Sequence, residues 1–238
     1  MYYSKIIIII LNFLDYFQQK KILKFINKKL KNPLTVFDIG AHHGESIKLF
    51  IKKLNIKKIY SFEASPNNFE ILKKKIKKYD KEKIEIYNFG LGDEILKSYI
   101  NQTKESSSST INKLNKDSKY FKKKLKILNI ENENSFFYKV PIQLYTLDHF
   151  IEKNEIKNID LLKIDTEGYE FRIIKGLSKY YTKIKLIYFE HHYDDMILKK
   201  YRFSDIHQLL TDRNFKMIKK SKMIFRKSFE YVYENMKI

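Results

Sequence analysis

Two hydrophobic spacings alternate along the chain, and the switches between them mark out its elements. Thr35 to Ile39 is a short apolar run with β-branched residues and reads as a buried strand. Ile47, Phe50, Ile51 and Leu54 then fall at i, i+3, i+4 and i+7, one face of a helix. Lys58 to Phe62 is a second strand, and Ser65-Pro66 is a helix start, a hydroxyl cap followed by a proline whose missing N–H costs nothing there. Phe69, Leu72, Ile76 and Tyr79 give that helix its stripe, and Ile84 to Phe89 alternates as a third strand. After a polar interval the pattern resumes with strands at Val140 to Tyr145, Ile159 to Ile164 and Ile184 to Phe189. A helix face through Ile173, Ile174 and Leu177 lies between the last two. A helix near Ser204 to Arg213 and a hairpin from Phe215 to Tyr233 follow. Strands alternating with short helices predict an α/β fold, a mostly parallel sheet with helices on both faces.

The interval from Asn101 to Asn134 breaks this rhythm. It is polar, with serines at 106–109 and lysines at 122–124, and reads as an insertion or lid with some helix, or as a disordered surface loop. The domain organisation expected is an N-terminal helical segment over 1–34 packed on one domain over 35–238, with the insertion at about 101–134. The run Ile6 to Leu14 is apolar apart from Asn12 but stops at Asp15, short of the ~20 residues of a membrane span. No small-residue cleavage site follows it, as a secretory leader requires. It is expected to be a buried strand or helix; a surface-lying helix flanked by Lys20, Lys21 and Lys24 is the alternative.

Composition changes this picture in two places. The chain has 238 residues, enough for one self-sufficient core. The absence of cysteine excludes disulfides, thiolate metal sites and cysteine nucleophiles, and fits a reducing, cytoplasmic setting. The net charge of +20 raises nucleic acid as a partner, but lysine outnumbers arginine 44 to 4. Surfaces that read phosphates and bases lean on the planar arginine fork. With only two alanines and an excess of Ile, Asn, Tyr and Phe, the lysines read as a solvated surface on a biased composition.

Candidate chemistry gathers at strand ends. After the first strand, Asp38-Ile39-Gly40-Ala41-His42-His43-Gly44-Glu45 holds two glycines, one for a tight turn and one that lets the next helix start close to the strand. G-x-x-x-G alone fits many plain turns. Glu63 ends the second strand about 20 residues on, where a carboxylate accepts from both ribose hydroxyls of a nucleoside. Gly90-Leu91-Gly92-Asp93 follows the third strand, where Leu91 and Asp93 would lie beside an adenine. The third glycine of a dinucleotide fingerprint is missing, and Asp38 disfavours a phosphate. A cofactor with an adenosyl group, a cationic sulfonium and no phosphate fits better: S-adenosylmethionine.

The fourth strand runs into Asp165-Thr166-Glu167-Gly168, and the fifth ends at Glu190-His191-His192. Methyl transfer to a hydroxyl needs in-line placement, which supplies roughly up to ten kcal/mol of the barrier. It also needs a base within hydrogen-bond reach. Asp165, Glu190 and His191 are candidates for that base. An Asp/Glu/His cluster could instead hold a divalent metal, but no spacing here is diagnostic and no metal ligand is assigned. In a chain with 28 acids against 48 bases, acids nevertheless recur at four strand ends: Asp38, Glu63, Asp165 and Glu190.

VFDIGAHHGES, YSFEASPNNFEIL, NFGLGDE, TLDHF, DLLKIDTEGYEFRIIKGL and IYFEHH occur in this order. Together they resemble the FkbM family of S-adenosylmethionine-dependent methyltransferases over about Val36 to Phe225, K-I-D-T-E-G-Y-E being the most specific part. The resemblance implies a Rossmann-like class I methyltransferase fold with a seven-stranded, mostly parallel sheet and a C-terminal antiparallel hairpin. It implies O-methylation of a sugar, glycan or related metabolite. Asp38, Gly40 and Gly44, with Ala41 and His42, would cradle the methionine part, and Glu63 would hold the ribose. Leu91 and Asp93 would sit near the adenine, and Asp165 and Glu167 would face the transfer centre with Glu190 and His191. His42 stands where such proteins often have asparagine. The Asn101 to Asn134 segment matches only loosely and is where acceptor choice is expected. A nucleic-acid methyltransferase and a non-catalytic glycan-binding member are the alternatives; against base N-methylation, no Asn-Pro-Pro-Tyr or Asp-Pro-Pro-Tyr motif follows the fourth strand.

Overall fold

The computed structural model describes residues 2–223 and 226–238, with side chains from Tyr16 onward apart from Asn134. In chain order the elements are α1 (Tyr2–Lys29), β1 (Leu34–Ile39), α2 (Glu45–Lys53), β2 (Ile56–Phe62), α3 (Pro66–Ile76), β3 (Ile84–Tyr87), β4 (Gly90–Gly92), β5 (Leu96–Thr103) and α4 (Lys119–Leu128). There follow β6 (Phe137–Thr146), α5 (Leu147–Lys153), β7 (Ile159–Ile164), α6 (Glu170–Lys175), β8 (Ile184–His192), α7 (Phe203–Asp212), β9 (Phe215–Lys222) and β10 (Ser228–Asn235).

Seven strands form the main sheet in the order β3-β2-β1-β7-β8-β10-β9. All run parallel except β10, which is antiparallel to both neighbours. The chain moves outward from β1 to β3 and then returns to place β7 beside β1. That reversal opens a crevice beyond the carboxyl ends of β1 and β7, where open α/β sheets bind ligands. β1 is buried along its whole length, Thr35 and Asp38 included, as expected of a largely apolar strand covered on both faces.

Each face of the sheet has its own core. Ile22, Leu23 and Ile26 of α1, Ile47, Leu49 and Phe50 of α2, and Leu72 of α3 cover Val36, Leu161 and Leu186 on one face. On the other, residues of α5, α6 and α7 cover Phe37, Leu162 and Phe189. Ser65 caps α3 by accepting from the Asn68 N–H at 3.3 Å, with Pro66 in the first turn, as its dipeptide predicts. In α2 the buried face takes in Leu49, which joins the α1 cluster, while Ile51 of the predicted stripe is exposed. The burial expected of Ile6 to Leu14 falls outside the described side chains, and Phe225 lies outside the described residues. No helix among the described residues is long and apolar enough to cross a membrane.

A second sheet, in the order β4-β6-β5, packs on the α6 side, and neither β4 nor β5 is evident from hydrophobic spacing. β5 ends in Asn101, Gln102 and Thr103, which are polar yet buried. They are bonded: the Asn101 amide donates to Asn112 O at 2.8 Å, and Gln102 accepts from Ser65 Oγ at 2.5 Å. The polar interval is thus largely ordered structure whose buried groups satisfy one another. Within it α4 buries Phe121 and Leu125 against Phe136, Met196 and Ile197.

Phe150 of α5 meets Phe37, Phe62 and Tyr87 edge-on at ring-centroid distances of 5.6, 4.8 and 4.9 Å. Removing that ring leaves a cavity facing three aromatic partners. Phe150→Ala is therefore expected to lower stability by about 3–5 kcal/mol. Ile51→Ala on the exposed side of α2 is expected to change it by less than about 0.5 kcal/mol. Urea unfolding of the two variants measures both.

Candidate active site

Strand register gathers charge into one row. Ser61, Asp38, Lys163 and Tyr188 are lateral neighbours across β2, β1, β7 and β8. Asp38 is fully buried. Its Oδ1 lies 3.3 Å from Lys163 Nζ, and its Oδ2 accepts from Ser46 Oγ at 2.5 Å. The same ammonium is 3.3 Å from Asp165 Oδ2. Burial alone would favour a neutral lysine, but the two carboxylates outweigh it and hold Lys163 well above its ordinary value. Burial likewise opposes the Asp165 charge, and Lys163 and then His192 overcome it, keeping that carboxyl below its usual range.

The turn after β1 shows why glycine stands at position 40. Its φ is +82°, and a Cβ there would sit 1.9 Å from the Asp165 carbonyl oxygen. The β1 turn and the end of β7 therefore pass each other in backbone contact. Gly44, at φ +87°, starts α2 where a Cβ would press on Leu72 at 2.9 Å. Glu63 points back across the turn and accepts from the His42 N–H at 2.7 Å and the Ser65 N–H at 2.9 Å. Burial pushes its carboxyl up to about 7 against these donors.

A cavity of about 390 Å³ opens between this turn and the acids of β7 and β8. Gly40, Ala41, His42, Glu63 and Leu91 line one side; Lys163, Asp165, Glu167 and Glu190 line the other. Asp38 and Gly44 lie behind this wall and shape it from beneath. Asp93 is not brought to the cavity: both its carboxylate oxygens accept from Arg172 Nη1, at 2.9 and 3.0 Å, with Lys175 Nζ at 3.5 Å. His191 is not brought to it either. Its ring packs among Tyr193, Tyr201 and Phe203, and burial pulls it down to about 3, so it is a neutral core residue.

His192 stands where His191 was expected. Its Nε2 is 3.5 Å from Glu167 Oε2 and 3.6 Å from Glu190 Oε1, and its Nδ1 is 3.5 Å from Asp194 Oδ2. Burial disfavours the charged ring, yet Glu167 and Glu190 push it up to about 10. Glu167 is itself raised to about 7 by burial, with His192 pulling the other way, and burial also raises Glu190. Glu167 adopts φ +50°, an uncommon conformation for a residue with a side chain. Three contacts hold it there. Thr110 Oγ1 donates to Glu167 O at 2.7 Å, the Asn112 amide donates to Gly168 O at 2.6 Å, and Glu170 Oε1 accepts from the Gly168 N–H at 2.9 Å.

Lys163 and Arg226 on the cavity wall, and His192 beside Glu167 and Glu190, are cations to which the sequence reading assigned no role. Strand alternation held the signal for two of them: Lys163 and Asp165, like Glu190 and His192, are two residues apart and share a face. Arg226 comes from the turn between β9 and β10, which no spacing ties to the site.

A nucleotide cradle without phosphate donors, beside a row of acids at the switch point of this strand order, defines a Rossmann-like methyltransferase. The model of the methyltransferase FkbM domain matches residues 38–217. The chain belongs to the FkbM methyltransferase family, whose methyl donor is S-adenosylmethionine. Among solved structures it is similar to an FkbM methyltransferase from Methylobacillus flagellatus KT, at 15% identity and TM-score 0.53, over 86% of this chain and 45% of that one. It thus spans less than half of that relative's length. M. capricolum TrmK, solved with S-adenosylhomocysteine, is similar at 13% identity and TM-score 0.52, over 90% of this chain and 67% of that one. An rRNA methylase from Streptococcus thermophilus is similar at 11% identity and TM-score 0.51, over 90% and 94%. At such identities these likenesses establish the fold. No curated protein matches the chain in sequence.

Removing Lys163 would take the nearest cation from the fully buried Asp38 and from the half-buried Asp165. Lys163→Met is expected to destabilise the protein by about 3–5 kcal/mol at neutral pH. The folded-state value of Asp165 is depressed, so the wild-type contribution is present above the unfolded carboxyl range and is lost as pH falls through the folded value. The gap between wild type and variant should therefore narrow on acidification from pH 7 towards pH 4, as thermal unfolding across that range would record.

Proposed function

We propose that this protein transfers a methyl group from S-adenosylmethionine to a hydroxyl oxygen of a sugar, glycan or related metabolite. The observation that carries the reading is Glu167. It is a carboxylate raised to about 7, beside a cationic His192, on the cavity wall facing the cofactor turn. A group that ionises near neutrality can take a hydroxyl proton at working pH.

When bound, the cofactor supplies an electrophilic methyl on a cationic sulfonium. Glu63, ionised, accepts from the ribose hydroxyls while the backbone at Gly40, Ala41 and His42 leaves room for the methionine part. Leu91 offers an apolar contact to the adenine. Glu167 holds the acceptor hydroxyl by its proton and takes that proton as the oxygen–carbon bond forms and the carbon–sulfur bond breaks. His192 stabilises the carboxylate before transfer, and Glu190 and Asp165 set the field around it. Asp38 acts through Lys163, fixing Asp165 at the edge of the cavity. The segment 101–134 selects the acceptor, since Ser106, Ser107, Ser109 and Thr110 line the cavity. A cytoplasmic location agrees with a chain free of cysteine.

The second reading, methylation of RNA, is favoured by the charge of +20. The deciding assay offers labelled S-adenosylmethionine with a panel of saccharides and glycans, and separately with total RNA. Label in saccharide supports the proposal. Label in RNA, with an affinity falling steeply as log salt rises, would overturn it.

Two further outcomes are expected. Glu63→Ala should abolish cofactor binding measured by calorimetry, and the wild-type affinity should strengthen as pH rises through about 7, where Glu63 ionises. Glu167→Gln should lower kcat by roughly 10²–10⁴-fold while leaving the cofactor Kd within a few-fold. The wild-type kcat/KM should rise through about pH 7 and hold until His192 loses its proton near 10.

A further inference from the structure

The β1–α2 turn, at the rim of the same cavity, carries a cluster of side chains to which the transfer chemistry assigns no role. His42, His43 and Glu45 each present one donor atom, and these atoms lie within 4.8 Å of one another. The two imidazoles stack at a centroid distance of 3.7 Å and 23° between planes. His42 Nδ1 lies 3.3 Å from Glu45 Oε2, while its Nε2 lies 2.7 Å from Ser106 Oγ.

That last contact bears on the tautomer. When Nε2–H donates to the serine oxygen, the Nδ1 lone pair is aimed at a carboxylate oxygen. Two acceptors then face each other, an arrangement that a cation between them resolves. A metal-bound histidine characteristically donates its other ring N–H to an oxygen, which orients the ring. His43 Nε2 is buried and has no hydrogen-bond partner, so a second imidazole nitrogen is available in the same turn. On Glu45, Oε1 faces Lys75 Nζ at 3.3 Å, and Oε2 accepts from the His43 N–H at 3.1 Å with lone-pair capacity to spare.

We propose that His42, His43 and Glu45 bind one divalent transition-metal ion, of the class of Zn²⁺, Co²⁺ or Ni²⁺. Two imidazoles and one carboxylate are the donor set of such ions, with water completing the shell. Mg²⁺ and Ca²⁺ prefer shells built from oxygen and are not expected to bind there. All three ligands come from four consecutive residues between β1 and the first turn of α2, so the ion closes a small ring without reorganising the fold. The site lies apart from the acids at the ends of β7 and β8. It touches the serine-rich segment through Ser106, and it does not depend on the identity of the methyl acceptor.

The test uses the full chain without a histidine tag, titrated calorimetrically with ZnCl₂ and, separately, MgCl₂ at neutral pH. One Zn²⁺ per chain with a Kd in the micromolar range or tighter is expected, and no binding of Mg²⁺. His43→Ala and Glu45→Gln should each weaken Zn²⁺ at least ten-fold. Lys75→Met, which removes a competing cation from Glu45, should tighten it. With Co²⁺ the wild type should show visible d–d bands that both ligand variants lose. Glu45 is exposed on the first turn of α2, so Glu45→Gln decides the matter even where His43→Ala fails to fold, as circular dichroism would reveal. No uptake of Zn²⁺, equal uptake of Mg²⁺, or Zn²⁺ affinity unchanged in Glu45→Gln would each overturn the proposal.

Discussion

The ion row Asp38–Lys163–Asp165 is the constraint around which the site is built. A buried carboxylate such as Asp38 is costly unless a cation and hydrogen bonds compensate it; here Lys163 of the neighbouring strand supplies the cation and Ser46 of α2 the short hydrogen bond. The row ties β1 to β7 at the point where the sheet reverses its order. Gly40 completes the joint, because only a residue without a Cβ lets the two chains pass at backbone contact. The cavity floor is accordingly set by the sheet itself, and its loops supply the walls.

Two acids of the same type take different characters from different surroundings. Asp165 sits beside a permanent cation and stays ionised. Glu167, held on a left-handed turn, is raised by burial, with His192 and then Lys124 pulling the other way. Backbone-directed contacts fix this contrast: Thr110 and Asn112 hold the turn from one side, and Glu170 from the other. The serine-rich segment also reaches His42 through Ser106, so a single insertion contacts both the cofactor turn and the acidic loop.

Much of this was legible before any coordinates. The apolar runs of β1, β7 and β8 and the Ser-Pro start of α3 carry strong local signals, and together they dictate a parallel sheet with its ligands at one rim. The strand-end positions of Asp38, Glu63, Asp165 and Glu190 followed from the same runs. β5 was invisible because its buried residues are polar and are satisfied by loops distant in sequence, which periodicity does not register. His191 and Asp93 show a second limit. A motif names residue types, but the pleat turns His191 into an aromatic core and leaves its neighbour at the acids. Asp93 pairs with Arg172 of a later helix and does not line the cavity.

The position of β10 has a temporal meaning. It is synthesised after β9 yet lies between β8 and β9, and Val232 and Tyr231 fill one core each. Until residues 228–235 have left the ribosome, β8 is an open edge, and the strand bearing Glu190 and His192 has no partner on that side. The nascent chain thus carries Glu190 on an unzipped border, a stage at which strand edges are open to mispairing. Insertion of one late strand ends that exposure and completes the sheet beside Glu190 and His192 in the same event.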